Sequence, residues 1–232
     1  MATLTLTLVR EGRSEPVIFE VRRLVNGGFT SRDQPGARKH IEELKAKGIT
    51  CPDEIPAFYP KSRELITTAD EIEVLGDQTS GEAEFALLIG GGRTLVAVGS
   101  DHTDRELEAL TIPKSKMVCP NVVSREVWDL QDVRQHWDSL LLRSYMLKGG
   151  ERTRYQEARL GSMLPPEQIL DLAKGRISEG GTEGLVLFSG TVAAIGGLSF
   201  GDGFEAELVD EVWGRRLTCQ YRVRPITWFR SS

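Results

Sequence analysis

The amino-acid sequence predicts an α+β fold that is mostly β-structure, with a few short helices. The N-terminus alternates polar and apolar residues, several later segments are short and apolar, and the segments with a helical pattern are few. The chain has 232 residues, of which 40% are hydrophobic and 27% charged, so it can bury a core and is not wholly disordered. Since no linker or internal repeat interrupts it, we expect a single domain over residues 1–232.

The N-terminal part of the chain is predicted to form strands with one helix. Threonine and leucine alternate over residues 3–9, which is the period-2 pattern of a half-buried strand. A loop rich in turn residues over 26–36 precedes a helix over 37–47, which ends at Gly48. The other strands expected here are residues 17–25, 85–89 and 94–98, of which the last two are joined by a glycine turn.

The C-terminal part is predicted to alternate strands with two short helices. Residues 125–138 carry a helical pattern, and residues 165–174 form a helix with two prolines at its start and Gly175 after its end. The strands expected here are residues 140–147, 185–188, 204–209 and 216–223.

Composition argues against several classes of function. With 34 acidic and 29 basic residues the net charge is −5, which disfavours a nucleic-acid-binding surface. No apolar run approaches the ~20 residues that cross a bilayer, and the N-terminus lacks the pattern of a signal peptide. The three cysteines are far apart, which favours free thiols in a cytoplasmic protein. No Cys or His pair has the spacing of a zinc site.

Three carboxylates are predicted to share one face of a β-hairpin. Glu82 and Glu84 are two residues apart on a strand, so their side chains point the same way. If the chain reverses about Gly91 and Gly92, Asp101 lies opposite Glu82, at ~5 Å from it and ~7–8 Å from Glu84 between Cβ atoms. In this register Gly99 lies opposite Glu84 and leaves space above the sheet. A slip of one residue would turn Asp101 to the other face.

This cluster predicts a metal site. Three carboxylates at this separation repel one another and cannot all stay ionised unless a cation lies among them. Because the donors are oxygen atoms only, Mg²⁺ or Mn²⁺ is expected, with Ca²⁺ as a further candidate. The alternative is that Glu82 and Glu84 are solvated residues on a strand edge.

Five sequence blocks occur in the order found in the fumarylacetoacetate hydrolase superfamily. The chain resembles this superfamily from about residue 25 to residue 224, and most closely an uncharacterised branch carried as a domain of unknown function. The blocks are residues 56–61 (P-x-x-F-x-K), 81–90 (E-x-E strand), 100–106 (N-D-x-[ST]-A-R-D), 155–157 (N-G-x-x-x-Q turn) and 184–191 (G-D-x-[IL]-x-[ST]-G-T).

The resemblance implies a mixed β-sandwich roll, usually dimeric, that holds Mg²⁺ or Mn²⁺. It also implies a small substrate acid with a 2-oxo, 1,3-dioxo or enol group that chelates the metal. The expected activity is that of a hydrolase or lyase acting on C–C bonds, with decarboxylation or tautomerisation as alternatives. A non-catalytic ligand-binding or interaction protein with a degenerate site is the other hypothesis.

The resemblance also assigns roles to individual residues. Glu82, Glu84 and Asp101 match the metal ligands, and Arg105 would hold the metal face electrostatically. Lys116 would donate to the developing oxyanion, although Lys114 competes for this role. The residues expected to grip the substrate acid are Tyr59, Lys61, Ser189, Gly190 and Thr191.

One departure from the family pattern concerns the general base. The hydrolases have a histidine in the loop that corresponds to residues 29–34, and this chain has none there. Asp33 could activate water instead, or Gln34 could orient it, and Arg32 and Gln34 are expected beside the substrate. His40 and Glu43 form an H-x-x-E pattern on the following helix, where a solvated helix face is the preferred interpretation.

Overall fold

The computed structural model describes residues 2–46 and 51–229. Strands dominate these residues. In chain order the seventeen strands are Ala2–Arg10 (β1), Arg13–Val21 (β2), Arg23–Gly28 (β3), Ala57–Lys61 (β4), Ile66–Thr67 (β5), Glu71–Val74 (β6), Thr79–Ser80 (β7), Ala83–Gly90 (β8), Arg93–Asp101 (β9), Thr103–Asp104 (β10), Asn121–Val123 (β11), Glu126–Asp129 (β12), Leu141–Lys148 (β13), Glu151–Arg159 (β14), Leu185–Phe188 (β15), Gly203–Asp210 (β16) and Arg215–Pro225 (β17).

The helices within the same residues are short. Five are α-helices, namely Gln34–Ala46 (α1), Arg105–Glu108 (α2), Ile112–Ser115 (α3), Leu130–Val133 (α4) and Pro166–Lys174 (α5). Three are 3₁₀-helices, namely Arg63–Leu65, Arg134–Ser139 and Leu160–Ser162. None of these described helices has the length and apolar character needed to span a membrane.

Two mixed sheets form the body of the molecule. The larger has ten strands in the order β2-β1-β12-β9-β8-β15-β3-β4, with β11 joined to β9 and β5 joined to β11. The smaller has five strands in the order β14-β13-β16-β17-β6, and β7 pairs with β10. Parallel pairs such as β1 with β12 and β3 with β15 lie among antiparallel ones. The mostly β prediction with few short helices is therefore confirmed.

The side chains of β8 separate two hydrophobic cores. Phe85 and Leu87 point into a core that they share with Phe204 and other residues of the five-stranded sheet. Ala86 and Leu88 point the opposite way, into a core whose buried members all come from the ten-stranded sheet. Because one face of that sheet packs against itself, the sheet is curled. Strand β8 is thus buried on both faces and is a rigid support for side chains at its start.

The hairpin of β8 and β9 has the predicted register. Gly91 and Gly92 both have positive φ, 61° and 73°, as a two-residue turn of the mirror-image type requires. Gly90 is paired with Arg93, and Glu84 with Gly99. The register prediction is therefore confirmed.

The predicted helix over 125–138 is wrong in its first part. Residues 126–129 form β12, where Val127 pairs with Leu8 and Trp128 pairs with Val96. Pairing with two neighbouring strands, together with burial of a valine and a tryptophan, outweighs the local helical pattern. Residues 130–139 do form helical turns.

One other prediction differs in detail, and one strand has no counterpart among the predictions. The strand expected over 17–25 is divided between β2 and β3. Strand β14 was not predicted, because its residues are mostly charged and exposed and show no apolar run. The predicted helix end at Gly48 lies outside the described residues.

Candidate metal centre

Three carboxylates converge where β8 begins and β9 ends. One oxygen of each of Glu82, Glu84 and Asp101 lies within 4.8 Å of the others. Glu84 and Asp101 are buried, and the Glu82 side chain is 14% exposed. The backbone N–H of Asp101 donates to the carbonyl of Glu82 at 3.2 Å, which continues the hairpin register beyond the last strand pair. The register brings together residues that are 17 to 19 positions apart in sequence.

Gly99 has a different role from the one expected. The space above it is filled, since a Cβ at this position would lie 2.5 Å from the carbonyl oxygen of Val122 and 3.0 Å from the ring of Phe188. Gly99 therefore allows β11 to approach β9 closely and does not open the site above Glu84. The prediction of open space at Gly99 is wrong.

Glu84 is the least compensated of the three carboxylates. Its Oε2 accepts the backbone N–H of Gly190 at 2.7 Å, and no cationic side chain of the described residues is ion-paired with it. Burial, followed by the nearby charges of Asp101 and Glu82, raises the pKa of Glu84 well above its usual range. A cation bound beside Glu84 would reverse this effect and favour the carboxylate.

Lys116 lies between the other two carboxylates. Its Nζ is 2.7 Å from Glu82 Oε2 and 2.7 Å from Asp101 Oδ2, and it also donates to Thr103 Oγ1 at 3.1 Å. Burial opposes its charge, but Asp101 and Glu82 outweigh burial and raise its pKa. Of the two lysines considered from the sequence, Lys114 is exposed on α3.

Arg105 holds Glu82 from the other side. It donates to Glu82 Oε1 at 3.1 Å, to Glu108 Oε2 at 2.6 Å and to Ser80 Oγ at 2.7 Å. Burial of Glu82 disfavours its ionised form, but Lys116 and Arg105 outweigh burial and lower the pKa of Glu82 to about 2. Glu82 is therefore ionised and fixed in orientation by two cations.

Lys61 belongs to a buried polar network behind Asp101. Its Nζ is 3.5 Å from Asp101 Oδ1 and donates to Asn121 Oδ1 at 2.5 Å, and Asn121 in turn donates to Asn26 Oδ1 at 2.8 Å. Burial lowers the pKa of Lys61. The two asparagines were missed from the sequence. An asparagine that directly follows apolar strand residues, as Asn26 follows Leu24 and Val25 in β3, is the signal that could have identified them.

The segment after β15 is folded against Glu84. Gly190 has φ of 86°, and a Cβ there would lie 2.7 Å from Thr30 Oγ1, so glycine is required for both conformation and space. Ser189 is buried and its hydroxyl donates to the carbonyl of Gly190 at 2.8 Å. Thr191 donates to the carbonyl of Ala83, the residue between the two glutamates, at 2.9 Å.

Gln156 connects this segment to β8. Its Oε1 accepts the N–H of Ala83 at 3.0 Å, and its Nε2 donates to Thr191 Oγ1 at 2.7 Å and to the carbonyl of Val192 at 2.6 Å. Ser144 donates to the same Oε1 at 2.9 Å. The amide thus has a partner at every position and fixes the strand that carries both glutamates.

A buried hydrogen-bond chain supports the ligand strands from behind. His102 Nδ1 is 2.9 Å from the hydroxyl of Tyr221, which donates to Ser100 Oγ at 2.8 Å. Ser100 Oγ accepts the N–H of Glu82 at 3.1 Å, and His102 Nε2 is 2.9 Å from Thr79 Oγ1. Burial lowers the pKa of His102 to about 3, so its imidazole is neutral. His102 is packed and is not among the clustered ligands.

A cavity of about 680 Å³ lies over the carboxylates, and Glu82, Glu84 and Lys116 line it. Tyr59 also lines it, and its buried hydroxyl has no hydrogen-bond partner among the described residues. Burial raises the pKa of Tyr59 to about 12, so this hydroxyl is a neutral donor. Thr191 lines the same cavity, whereas Ser189, Gly190 and Lys61 do not.

The polar side chains of the loop after β3 form hydrogen bonds with other groups of the protein. Arg32 forms two hydrogen bonds with Asp138, at 2.8 and 2.7 Å. Asp33 is exposed and accepts the N–H of Gly36 at 3.0 Å, which is the bond of a helix N-cap. Gln34 donates to the carbonyls of Phe29 and Ser31.

These loop residues do not line the cavity in this structure. The roles assigned to Arg32, Asp33 and Gln34 stay predictions, and each requires the loop to change its hydrogen bonds. Glu43 is exposed on α1, and the position of the His40 side chain lies outside what the structure describes.

The donor set fits a hard divalent cation. All three candidate ligands offer carboxylate oxygens, which suit Mg²⁺, Mn²⁺ or Ca²⁺. Glu84 has one backbone donor and two carboxylates as neighbours, an arrangement that favours a cation at its side.

A family model described as "Protein of unknown function (DUF2848)" matches residues 27–221, and the chain belongs to this family. A search of curated protein sequences finds no match.

Solved structures with a similar fold include three enzymes. A 2-keto-3-deoxy-D-arabinonate dehydratase complexed with magnesium and 2,5-dioxopentanoate is 18% identical, with a TM-score of 0.64, over 93% of this chain and 78% of that chain. A 5-carboxymethyl-2-hydroxymuconate delta-isomerase from Mycobacterium smegmatis is 17% identical, with a TM-score of 0.62, over 92% and 84%. A fumarylacetoacetate hydrolase from psychrophilic Exiguobacterium antarcticum is 16% identical, with a TM-score of 0.56, over 97% and 100%.

At these identities the likeness shows the fold. The protein has a fold of the fumarylacetoacetate hydrolase type, and the predicted resemblance to an uncharacterised branch of that superfamily is confirmed.

Proposed function

We propose that this protein is a divalent-metal-dependent enzyme that acts on a small 2-oxo or 1,3-dioxo acid and hydrolyses a C–C bond. The observation that carries the proposal is the convergence of Glu82, Glu84 and Asp101 beside a cavity that also exposes Lys116 and Tyr59. The similar folds of a dehydratase, an isomerase and a hydrolase support an enzymatic role.

The three carboxylates hold Mg²⁺ or Mn²⁺ in this proposal. Such an ion polarises oxygen atoms of the substrate and stabilises the negative charge that develops on them. Lys116 donates a hydrogen bond to the oxygen that gains charge, and the protein keeps its ammonium in place through Glu82 and Asp101. Arg105 fixes Glu82, so the ligand does not have to reorient when the ion binds.

Tyr59 and Thr191 bind the substrate acid. The Tyr59 hydroxyl is a buried donor that lacks a protein partner, and it therefore gains a hydrogen bond when the acid enters the cavity. Ser189 and Gly190 act indirectly, because they place Thr191 and the N–H that binds Glu84. Lys61 contacts Asp101 on the side away from the cavity and does not line the cavity itself.

Hydrolysis also requires a group that accepts a proton from water. Asp33 performs this step in the proposal, and its carboxylate must first leave the N–H of Gly36. The second candidate function is decarboxylation or tautomerisation at the same site. It is favoured by the observation that Asp33 does not line the cavity and that the described lining residues include no histidine.

An activity panel tests the proposal. Purified protein is incubated with Mg²⁺ or Mn²⁺ and a series of 2-oxo and 1,3-dioxo acids, and both pyruvate-type products and CO₂ are measured. Release of a cleaved acid without CO₂ supports hydrolysis, and CO₂ release supports decarboxylation. If no acid reacts or binds with either metal, the protein is a non-catalytic binding protein or acts on another class of substrate.

Two further expectations belong to the same proposal. A homodimer is expected from the family resemblance, and a cytoplasmic location from the cysteine content. Sedimentation of the purified protein measures the first, and fractionation of cells that express it measures the second.

A further inference from the structure

Part of the cavity lining is apolar. This apolar wall is formed by side chains from four separate parts of the chain, namely Phe29, Ala37, Ile112, Met163, Val192 and Ala193. Backbone bridges connect some of these parts, since Ser31 is bridged to Met163 and Gln156 is bridged to Ala194. The segments that carry Phe29, Met163 and Val192 therefore lie side by side in this structure.

The remaining charges at the cavity are unfavourable for a second substrate carboxylate. Glu108 and Glu157 line it, and both are acidic. Lys116 is the one cationic side chain among the described residues that line the cavity, and it is already within 2.7 Å of two carboxylates. Glu108 is ion-paired with Arg105 and Glu157 with Arg154, and neither arginine lines the cavity. A second negative charge on the substrate would therefore find no free cation on these walls.

The cavity is larger than the smallest oxo acids require. At about 680 Å³ it falls in the range of ~300–1,000 Å³ that is typical of pockets for much larger ligands. A three-carbon acid bound at the carboxylates therefore leaves part of the cavity unfilled.

We propose that the substrate is an oxo acid with a single carboxylate and an uncharged, apolar tail that packs on Phe29, Ile112 and Val192. This inference rests on the proposed function for the chelating end of the substrate and adds the chemical class of the other end. Each methylene that is buried on this wall should strengthen binding by about three- to fourfold.

Calorimetric titration of the Mg²⁺-loaded protein with three acids tests the inference. The probes are pyruvate, which has only the chelating end, 2-oxohexanoate, which adds an apolar tail, and 2-oxoadipate, which ends the same carbon chain in a carboxylate. We expect 2-oxohexanoate to bind at least about tenfold more tightly than pyruvate. We expect 2-oxoadipate to bind no more tightly than pyruvate.

Ala193 offers a matched pair of variants. It is exposed and borders the cavity, so a longer side chain is tolerated without repacking the core. In Ala193→Lys, 2-oxoadipate should bind more tightly than pyruvate, because the variant supplies the missing cation. In Ala193→Gln, which adds a similar length without charge, the order of the wild type should persist.

The outcomes separate the two proposals. If pyruvate binds but 2-oxoadipate binds as tightly as 2-oxohexanoate in the wild type, the apolar-tail inference is overturned and the proposed function stands. If none of the three acids binds in the presence of Mg²⁺, the proposed function is overturned, and the inference falls with it.

Discussion

The variant Glu84→Gln should be at least as stable as the wild type without metal and less stable than the wild type when metal is added. Glu84 is buried and has Gly190 as its single hydrogen-bond donor, and its pKa is raised above the ordinary value of 4.5. Its ionised form therefore destabilises the fold in the absence of a cation. Glutamine keeps the size and an oxygen acceptor for the N–H of Gly190 but carries no charge. With a chelator present, Glu84→Gln should be as stable as the wild type or more stable.

The raised pKa of Glu84 also predicts how the stability of the metal-free protein depends on pH. Because the folded-state pKa is raised, the contribution of Glu84 to stability is complete below pH 4.5 and is lost as pH rises through the folded-state pKa. The metal-free wild type should lose stability over this window, and Glu84→Gln should lose less. Metal binding displaces the proton from Glu84, so the affinity for Mg²⁺ should rise with pH.

Added Mg²⁺ or Mn²⁺ should stabilise only the protein that keeps all three carboxylates. A ligand at about 100 times its Kd stabilises the folded state by about 2.7 kcal/mol. For a chain of this length, 1 kcal/mol shifts Tm by about 2–4 °C, so the wild type should gain about 5–11 °C. Glu84→Gln should gain little, because the ion would lose one of its three charged ligands.

Differential scanning calorimetry with chelator and with Mg²⁺ or Mn²⁺ measures both halves of this prediction. Glu73→Gln is a matched control, since Glu73 is exposed on β6 in the other sheet, and it should behave as the wild type in both conditions. If metal raises the Tm of Glu84→Gln as much as that of the wild type, the ion binds elsewhere. A lower stability of Glu84→Gln than of the wild type in chelator would refute the account of Glu84 as a destabilising charge.

Three further substitutions test other parts of the site. Lys116→Met should cost about 3–5 kcal/mol in urea unfolding without metal, because it leaves Glu82 and Asp101 without their shared cation, and equal unfolding midpoints would contradict this. Tyr221→Phe interrupts the chain that holds the N–H of Glu82 and should weaken Mn²⁺ binding by about tenfold in a titration, whereas unchanged affinity would limit Tyr221 to packing. Asp33→Asn should retain the metal-induced stabilisation and lower turnover of the substrate by about 10²–10⁴, while His40→Ala changes little. Full turnover in Asp33→Asn would favour decarboxylation or tautomerisation.

The parts of the site that the sequence predicts are those set by short-range geometry. Two residues on one strand share a face, and two glycines with positive φ determine which residues of a hairpin face each other. These two rules are sufficient to bring Asp101 beside Glu82 and Glu84. The order of the motif blocks then predicts the fold type, although it cannot show how the larger sheet curls.

The parts that were missed depend on contacts between distant segments. Gln156 lies in a motif block, but its bond to Ala83 spans 73 positions, and the bond from Tyr221 to Ser100 spans 121. No local pattern shows which distant backbone or side-chain group such a residue contacts. Likewise, the helical spacing over 125–138 was a sound local signal, and it failed because Val127 and Trp128 gain more from pairing with β1 and β9.

Asp33 illustrates why a polar residue before a helix is ambiguous in a sequence. An aspartate in this position can satisfy a free N–H of the first turn, and it can equally serve as a proton acceptor beside a substrate. In the structure Asp33 accepts the capping bond from the N–H of Gly36. The neighbouring Gln34 holds the loop in place by donating hydrogen bonds to the carbonyls of Phe29 and Ser31. For Asp33 to act on water, these bonds must be exchanged for contacts with substrate or metal. The proposed hydrolysis therefore couples loop rearrangement to substrate binding, and decarboxylation at the same carboxylates would proceed without it.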